Sequence, residues 1–533
     1  MTGKMNRKPF ALMLCLALVC TLFAGMSLAA AESEPRTITL YGTEWEGTDL
    51  FHISGWYTSQ GLVQDTFFTQ GAEDVTEILP MICSDFSYSD DGLTLRLTFP
   101  EGMKFADGSD VGPEDFKASI EYGLEDQDGD GEPDSDWGYA YTNIIDIQVD
   151  GRDAVCTLSE FRADLEYFLV QPFIGLIPSE QIESLSRDEL LWKALPYGQY
   201  YMDEYVPGSH VTLKPNPYYY TLNPLVENKG VGKLDYITVK FTETESFTLT
   251  QMLKEGDLDL IYEIDMEMYR ELEGDPNIAV KETTYPSLEF IEFNKDSRGL
   301  DEYNVRKAIA LTLNRDEFVF MCDGLAIAEY AMAMPTMLSF NQRHYDWVKE
   351  NLSNDIEQAK SLLAESGWVD TNNDGFVDKD GQNLQFSFMA RSTGSSVTVA
   401  QEMQLELKEI GIDMQIETLD WNYRYEKITT DDYDAGIQGL SWGEPFLILN
   451  YAHYDPDNLV GDELAEYQAL VDDAVHEIDE ELRAEKVGIA EDYLMKDLSI
   501  LPIYSDVGYT AYRSDLKGLI ITPVANFYFN DVE

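Results

Sequence analysis

The chain has 533 residues, more than one ordinary hydrophobic core accommodates, so two or more packed units are expected. Hydrophobic residues make up 44% of it and aromatics 12%, a composition that excludes disorder as the ground state. A formal charge of −63 repels phosphate backbones and excludes nucleic acid as a partner; it suits cationic ligands, or simply a solvated acidic surface.

Lys4, Arg7 and Lys8 precede an apolar run from Phe10 to about Ala24 and small residues through Ala31, which together make a secretory signal peptide over residues 1–31. The run is too short for a membrane span, and no later stretch reaches about 18 consecutive apolar residues. The expectation is export to the periplasm or the outer face of the cell membrane, with a mature start near Glu32. Loss of the three cations takes the charge from −63 to about −66. Lipid anchoring through Cys20 is the alternative, although Val19 stands where a small residue is usual. Cys83, Cys156 and Cys322 then remain, an odd number without a CxxC pair, so cysteines provide neither a disulfide framework nor a metal site.

Residues 37–41 alternate as a half-buried strand does, and Leu93, Leu95, Leu97 and Phe99 repeat at period two. Pro113 and the acids after it open a helix over 113–120. An Asp/Gly-rich loop over 126–136 leads to strands near 144–149 and 154–158. Strands near 210–214 and 237–241, a helix over 246–254 and the apolar stretch 258–262 follow, the order of a crossover unit in a mostly parallel sheet. The second half repeats the theme. A strand at 290–294 precedes a helix over 304–313 with Val305, Ala308, Ile309 and Leu313 on one face, and a further helix at 356–366 stops at Gly367. Strand 384–389, helix 397–410 and strand 413–418 form a further crossover unit. The fold class is α/β.

Six segments in this order resemble the extracellular solute-binding proteins of the peptide/nickel ABC importer family, family 5. They are Phe105 to Ser119, with a Phe-x-Asp-Gly turn entering a helix; Pro196 to Tyr201; Asn216-Pro-Tyr-Tyr219; Phe293-Asn294 with Val305 to Ala310 and Asn314-Arg-Asp316; Ala359 to Trp368; and Leu501-Pro-Ile-Tyr504. The resemblance implies a two-lobed periplasmic-binding-protein type II fold with an extra inserted domain (cluster C architecture). Lobe I would comprise 32–70, 190–285 and 505–533, the inserted domain 71–189, and lobe II 286–504, with crossings near 285–291 and 502–509. It also implies capture of an extracellular solute, an oligopeptide foremost, by lobe closure, and delivery to membrane permease and ATPase subunits. Oligosaccharide import, and sensing without transport, use the same scaffold.

Ligand-binding positions follow from the same resemblance. Trp421 and Trp442 fall where peptide-binding members carry cleft tryptophans, and Trp56, Tyr285 and Tyr504 lie in segments lining that cleft. Arg391 offers a two-pronged clamp for a carboxylate. The acidic segment that meets a peptide's α-amine is missing after Trp442, and Glu444 is the candidate replacement.

Two loops have the oxygen spacing of calcium sites: Asp126, Asp128, Asp130 and Asp134 in one, Asp370, Asn372, Asp374 and Asp378 in the other. Both lack the twelfth-place Glu, with Trp137 and Gly381 standing there. Any calcium is expected to be structural, and no cofactor is required. A secreted hydrolase is the rival class. The sequence has no His-Glu-x-x-His, and its histidines are scattered, so the expectation is a binding protein and not an enzyme.

Overall fold

The structure is a computed structural model that describes residues 35–533 except 54–57, 73, 173, 242–243, 285–286, 353, 455–460 and 524–525. The proposed signal segment, Cys20, Trp56 and Tyr285 lie outside the described residues. No described helix is long and apolar enough to cross a membrane.

The first strand, β1 (Thr37–Tyr41), alternates buried Ile38 and Leu40 with more exposed neighbours. The chain then builds a separate sheet from β2 (Asp85–Tyr88), β3 (Thr94–Thr98), β4 (Ile144–Asp150) and β5 (Asp153–Leu158), in the order β2-β3-β5-β4 and antiparallel throughout. Helix α1 (Pro113–Gly123) crosses between β3 and β4 with Pro113 in its first turn. Helix α2 (Asp164–Val170) follows β5, and its Leu165, Tyr167 and Phe168 join a core with Leu95, Leu97, Phe116 and Cys156.

The chain returns to the first sheet with β6 (Tyr200–Val206), β7 (His210–Pro215), β8 (Tyr236–Lys240), α3 (Ser246–Glu255), β9 (Leu260–Ile261) and β10 (Ile278–Thr284). The chain continues with β11 (Ser287–Phe293), α4 (Tyr303–Thr312), β12 (Ala326–Ala328), α5 (Ile356–Glu365), β13 (Gln385–Arg391), α6 (Ser396–Glu409), β14 (Asp413–Leu419), α7 (Trp421–Thr429), β15 (Ala435–Ser441), α8 (Pro445–Tyr454) and α9 (Glu480–Asp497), the elements of the second lobe. The last long strand, β16 (Ile500–Arg513), runs through both lobes. It pairs β11 and β12 with its first half, and β10 and β9 with its second.

The order β14-β13-β15-β11-β16-β9-β1-β8-β7-β6 is therefore one hydrogen-bonded succession carrying a two-lobed α/β fold. It corrects the expectation of a mostly parallel sheet. The pairs β13–β14, β13–β15, β1–β8 and β1–β9 are parallel, but β6–β7–β8 is an antiparallel meander and β16 is antiparallel to all its partners. Short connections such as 207–209 permit only antiparallel neighbours, since a parallel pair needs a crossover of a dozen residues or more.

The core of lobe II is the larger one. Val305, Ala308 and Ile309 of α4 share it with Ala359 and Leu363 of α5, the helix packed on α4, while Val399, Met403 and Leu407 of α6 lie with Phe386 and Phe388 of β13. Each of these larger side chains contributes about 1.5–3 kcal/mol relative to exposure.

Candidate ligand-binding site

The strand order of lobe II turns back on itself at β13. The chain leaves β13 through α6 to reach β14 on one side, then passes through α7 to β15 on the other. Right-handed crossovers in opposite directions put α6 and α7 on opposite faces, so the carboxyl ends of β13, β14 and β15 open a crevice of the kind in which open α/β sheets bind ligands. Arg391 ends β13, and the exposed residues Ser392, Thr393 and Gly394 lead into the amino end of α6. Exposed Gly439 and Ser441 end β15.

Helix α7 starts where Asp420 accepts the Tyr423 amide at 3.1 Å, and it stands over these ends because Arg424 is buried beneath it. The Arg424 guanidinium donates to the Ile437 carbonyl at 2.8 Å and to Gln438 Oε1 at 2.6 Å. Arg424 anchors the helix and lies 5.9 Å from the Trp421 ring, and beside it Trp421 and Tyr425, one turn apart, stack at 6.5 Å and 22° and are 70% and 60% exposed. Aromatics this open are an exposed apolar surface, with the Arg424 guanidinium against Trp421.

Arg391 itself is already engaged. Its Nη2 donates to Glu289 Oε2 at 2.5 Å, with the arginine side chain 28% exposed and the glutamate 6%. Glu289 lies near the start of β11 in direct register with Gly439 and Tyr504. Burial raises its carboxyl to about 7, against the opposing pull of Arg391. Tyr504 is buried beneath the pair and does not face solvent.

Trp442 is half-buried and lies between the inserted domain and lobe II, packed against both cores. Its ring stacks on Trp137 at 6.1 Å and 19° and meets Tyr167 and Phe168 at 5.7 and 6.1 Å. Around it, Arg483 of α9 reaches Glu166 at 3.4 Å, and the Ala163 amide donates to the Val475 carbonyl at 2.9 Å.

Glu444 has a task other than meeting an amine. It is buried and caps α8: Oε2 accepts the Phe446 amide at 2.6 Å, and Oε1 accepts the Leu447 amide at 2.7 Å and the Trp442 indole at 3.0 Å. Burial, and then the like charge of Asp164 across the interface, push its carboxyl well above the usual range. Trp442, Glu444, Arg391 and Trp421 thus all cluster after β13, β14 and β15. Sequence reasoning missed Glu289, Gly439, Trp137 and Tyr167, which arrive from distant segments without a local motif.

The two Asp/Gly-rich loops fold alike. In each, the first Asp accepts amides three and five residues on, and the ninth accepts the amide of the second residue. In the first loop the carboxylates of Asp126, Asp128 and Asp130 converge within 4.8 Å, while Asp134 also binds Arg187 at 3.0 Å. In the second, Asp374 accepts from Asn372 and Asn383, and buried Asp378 is taken by the Thr371 hydroxyl at 2.8 Å.

The profile of bacterial extracellular solute-binding proteins, family 5 Middle, matches residues 77–452, and the chain belongs to that family. The oligopeptide-binding protein OppA of Bacillus subtilis (strain 168) is 22% identical over 482 residues, covering 84% of each chain. The glutathione-binding protein GsiB of Salmonella typhimurium is 23% identical over 491 residues, covering 87% of each. Among solved structures, NikA from Brucella suis in complex with Fe(III)-EDTA superposes with a TM-score of 0.76 at 17% identity, over 93% of this chain and 99% of that one.

Proposed function

We propose that this chain is the solute-capturing component of an ATP-driven importer and that its solute is a peptide, held at the carboxyl ends of β13, β14 and β15. The observation that carries the reading is that a partly exposed Arg391 ends β13 opposite Leu419 of β14, and the open Trp421–Tyr425 face begins two residues beyond Leu419. A guanidinium beside the amino end of α6 suits a carboxylate, and flat aromatics take up side chains of varied shape. The lobes, divided as residues 32–70, 190–285 and 505–533 against 286–504, close on the solute and present it to permease and ATPase subunits outside the membrane, after export directed by residues 1–31.

The test is a thermal-shift screen of the chain from Glu32 onward against di- to pentapeptides, oligosaccharides and nickel–histidine chelates. Binding to the native state alone raises stability by about 2.7 kcal/mol at a hundredfold excess over Kd. A shift with peptides is expected. Silence with peptides and a shift with sugars or chelates overturns the substrate and keeps the receptor.

A second reading concerns calcium, which we propose binds the first Asp/Gly-rich loop as a structural ion. The convergence of Asp126, Asp128 and Asp130 within 4.8 Å favours this loop. The second loop spends its carboxylates on its own side chains.

A further inference from the structure

Arg391 is the cation at the carboxyl ends of β13–β15, yet its charge is met from below before any solute arrives. It donates to Glu289 of β11, in the same lobe and one strand beyond β15, with a 2.5 Å hydrogen bond. The contact depends on the residue between them. Gly439 stands directly opposite Glu289 on β15, and a Cβ there would lie 2.5 Å from Glu289 Oε1 and 2.8 Å from Arg391 Nη1. Only glycine leaves space for the pair.

The other charged and titratable groups around Glu289 come from every packed element. Asp506 of β16 is a second carboxylate in the field of Arg391, and it is exposed. Arg424 of α7 is a second cation, engaged with Ile437 and Gln438 of β15. Tyr504 of β16 and Cys322 are buried and stay neutral, their protons held by burial. Two cations therefore already face two carboxylates, and a solute carboxylate makes a third.

We propose that Glu289 is the specificity-determining residue of this site: it positions the Arg391 guanidinium, and a solute carboxylate that reaches Arg391 shares that cation with Glu289, so that the solute binds together with a proton. The guanidinium carries five N–H donors, and Glu289 engages its buried side, leaving donors for a solute on the exposed side. Two carboxylates on one cation do not both remain ionised at little cost, and the buried one is the one that takes the proton, delivered from solvent. The carboxyl of Glu289 already sits at about 7, raised first by burial, so a small further push protonates it at neutral pH. The site so built selects against a second negative charge near Arg391 and couples capture to pH.

The proposal rests on the peptide reading, and the experiment separates the two. Trialanine and its C-terminal amide are titrated by calorimetry into the parent and into Glu289→Gln at pH 6, 7 and 8, in buffers of different ionisation enthalpy. The parent is expected to bind the free acid more tightly as pH falls, by up to about tenfold per pH unit, with net proton uptake, and to bind the amide without that slope. Glu289→Gln is expected to bind the free acid at pH 8 about tenfold more tightly than the parent and to show no proton uptake. Glu289→Asp, which keeps the charge, is expected to restore the uptake and decides the matter if the Gln variant fails to fold. Binding of the free acid without proton uptake by the parent, or an equal pH slope in Glu289→Gln, overturns this proposal alone. Binding of neither peptide by any of the proteins overturns the peptide reading, and this proposal with it.

Discussion

Gly443 of lobe II lies against Tyr167 of the inserted domain so closely that its amide donates to the phenol oxygen at 3.1 Å, and a Cβ at that position would fall 2.5 Å from the ring. A second glycine lies at the same seam: a Cβ on Gly92 of the inserted domain would fall 2.9 Å from Ile478 across it and 2.9 Å from Phe161 of its own domain. The two surfaces meet through residues without side chains, which lets aromatic rings fill the space around them.

Gly443→Ala is expected to loosen this contact. Overpacking typically costs about 1–3 kcal/mol, and here the strain falls on the interface and not within either core. Peptide affinity should drop roughly five- to hundredfold, since 1.4 kcal/mol is a factor of ten, with the loss recovered in part by a second change, Tyr167→Ala. Small-angle scattering checks the geometry, an increased radius being the expected result. Unchanged affinity and radius would show that the contact plays no part in closure.

Trp442→Ala removes the ring that Trp137, Tyr167 and Phe168 enclose. Because Trp442 packs against two cores, the variant is expected to lose about 2–3 kcal/mol of stability, less than a fully enclosed tryptophan, together with at least tenfold in solute affinity. Urea unfolding and calorimetry measure the two effects separately. Loss of stability with affinity intact assigns Trp442 to the joint between domains and leaves solute contact to Trp421 and Tyr425.

Much of this was legible in the chain. Period-two stretches such as Leu95 and Leu97 gave strands, and the apolar face Val305, Ala308 and Ile309 gave a helix, because alternation and helical spacing are local records of burial. Strand pairing is not local. Residues 500–513 carry buried side chains almost without interruption, a pattern that does not reveal a single strand shared by two lobes. The tryptophans after β14 and β15 stand out by their place in the order of motifs. Glu289 does not, because the feature that defines it, an arginine a hundred residues away and a glycine on the next strand, exists only once the sheet has formed. Glu444 looked like a free acid because sequence shows its charge and not the three donors that take it up.

Glu444 makes stability depend on pH. Burial and the neighbouring Asp164 raise its folded-state carboxyl above the unfolded one, so between the usual carboxylate range and the raised value the folded chain binds more protons. Stability from this group is therefore greatest at acid pH and falls as pH rises through that window. Glu444→Gln abolishes the charge and one of the capping interactions. The difference in Tm between variant and parent is expected to be negative at pH 5, where a cap is lost, and to move upward by pH 9, where a buried charge is also lost. A constant difference from pH 5 to pH 9, followed by calorimetry, would mean that Glu444 does not titrate in this range.

The Asp/Gly-rich loop over 126–136 ends at Trp137, the residue that stacks on Trp442, so its order bears on the domain joint as well as on itself. Calcium is expected to raise the Tm of the parent and to do so through Asp126, Asp128 and Asp130, whose oxygens already converge. Asp130→Ala should remove the calcium-dependent increment and leave the Tm in chelator nearly unchanged, because among the described residues Asp130 accepts the Glu132 amide of its own loop alone. Asp374→Ala should behave in the opposite way. Its carboxylate binds Asn372, Asn383 and the Phe376 amide, so its loss lowers the Tm equally with calcium and with chelator. Equal melting temperatures of the parent with calcium and with chelator would leave both loops as turns held by their own hydrogen bonds, with Arg187 supplying the counter-charge at Asp134 that an ion would otherwise provide.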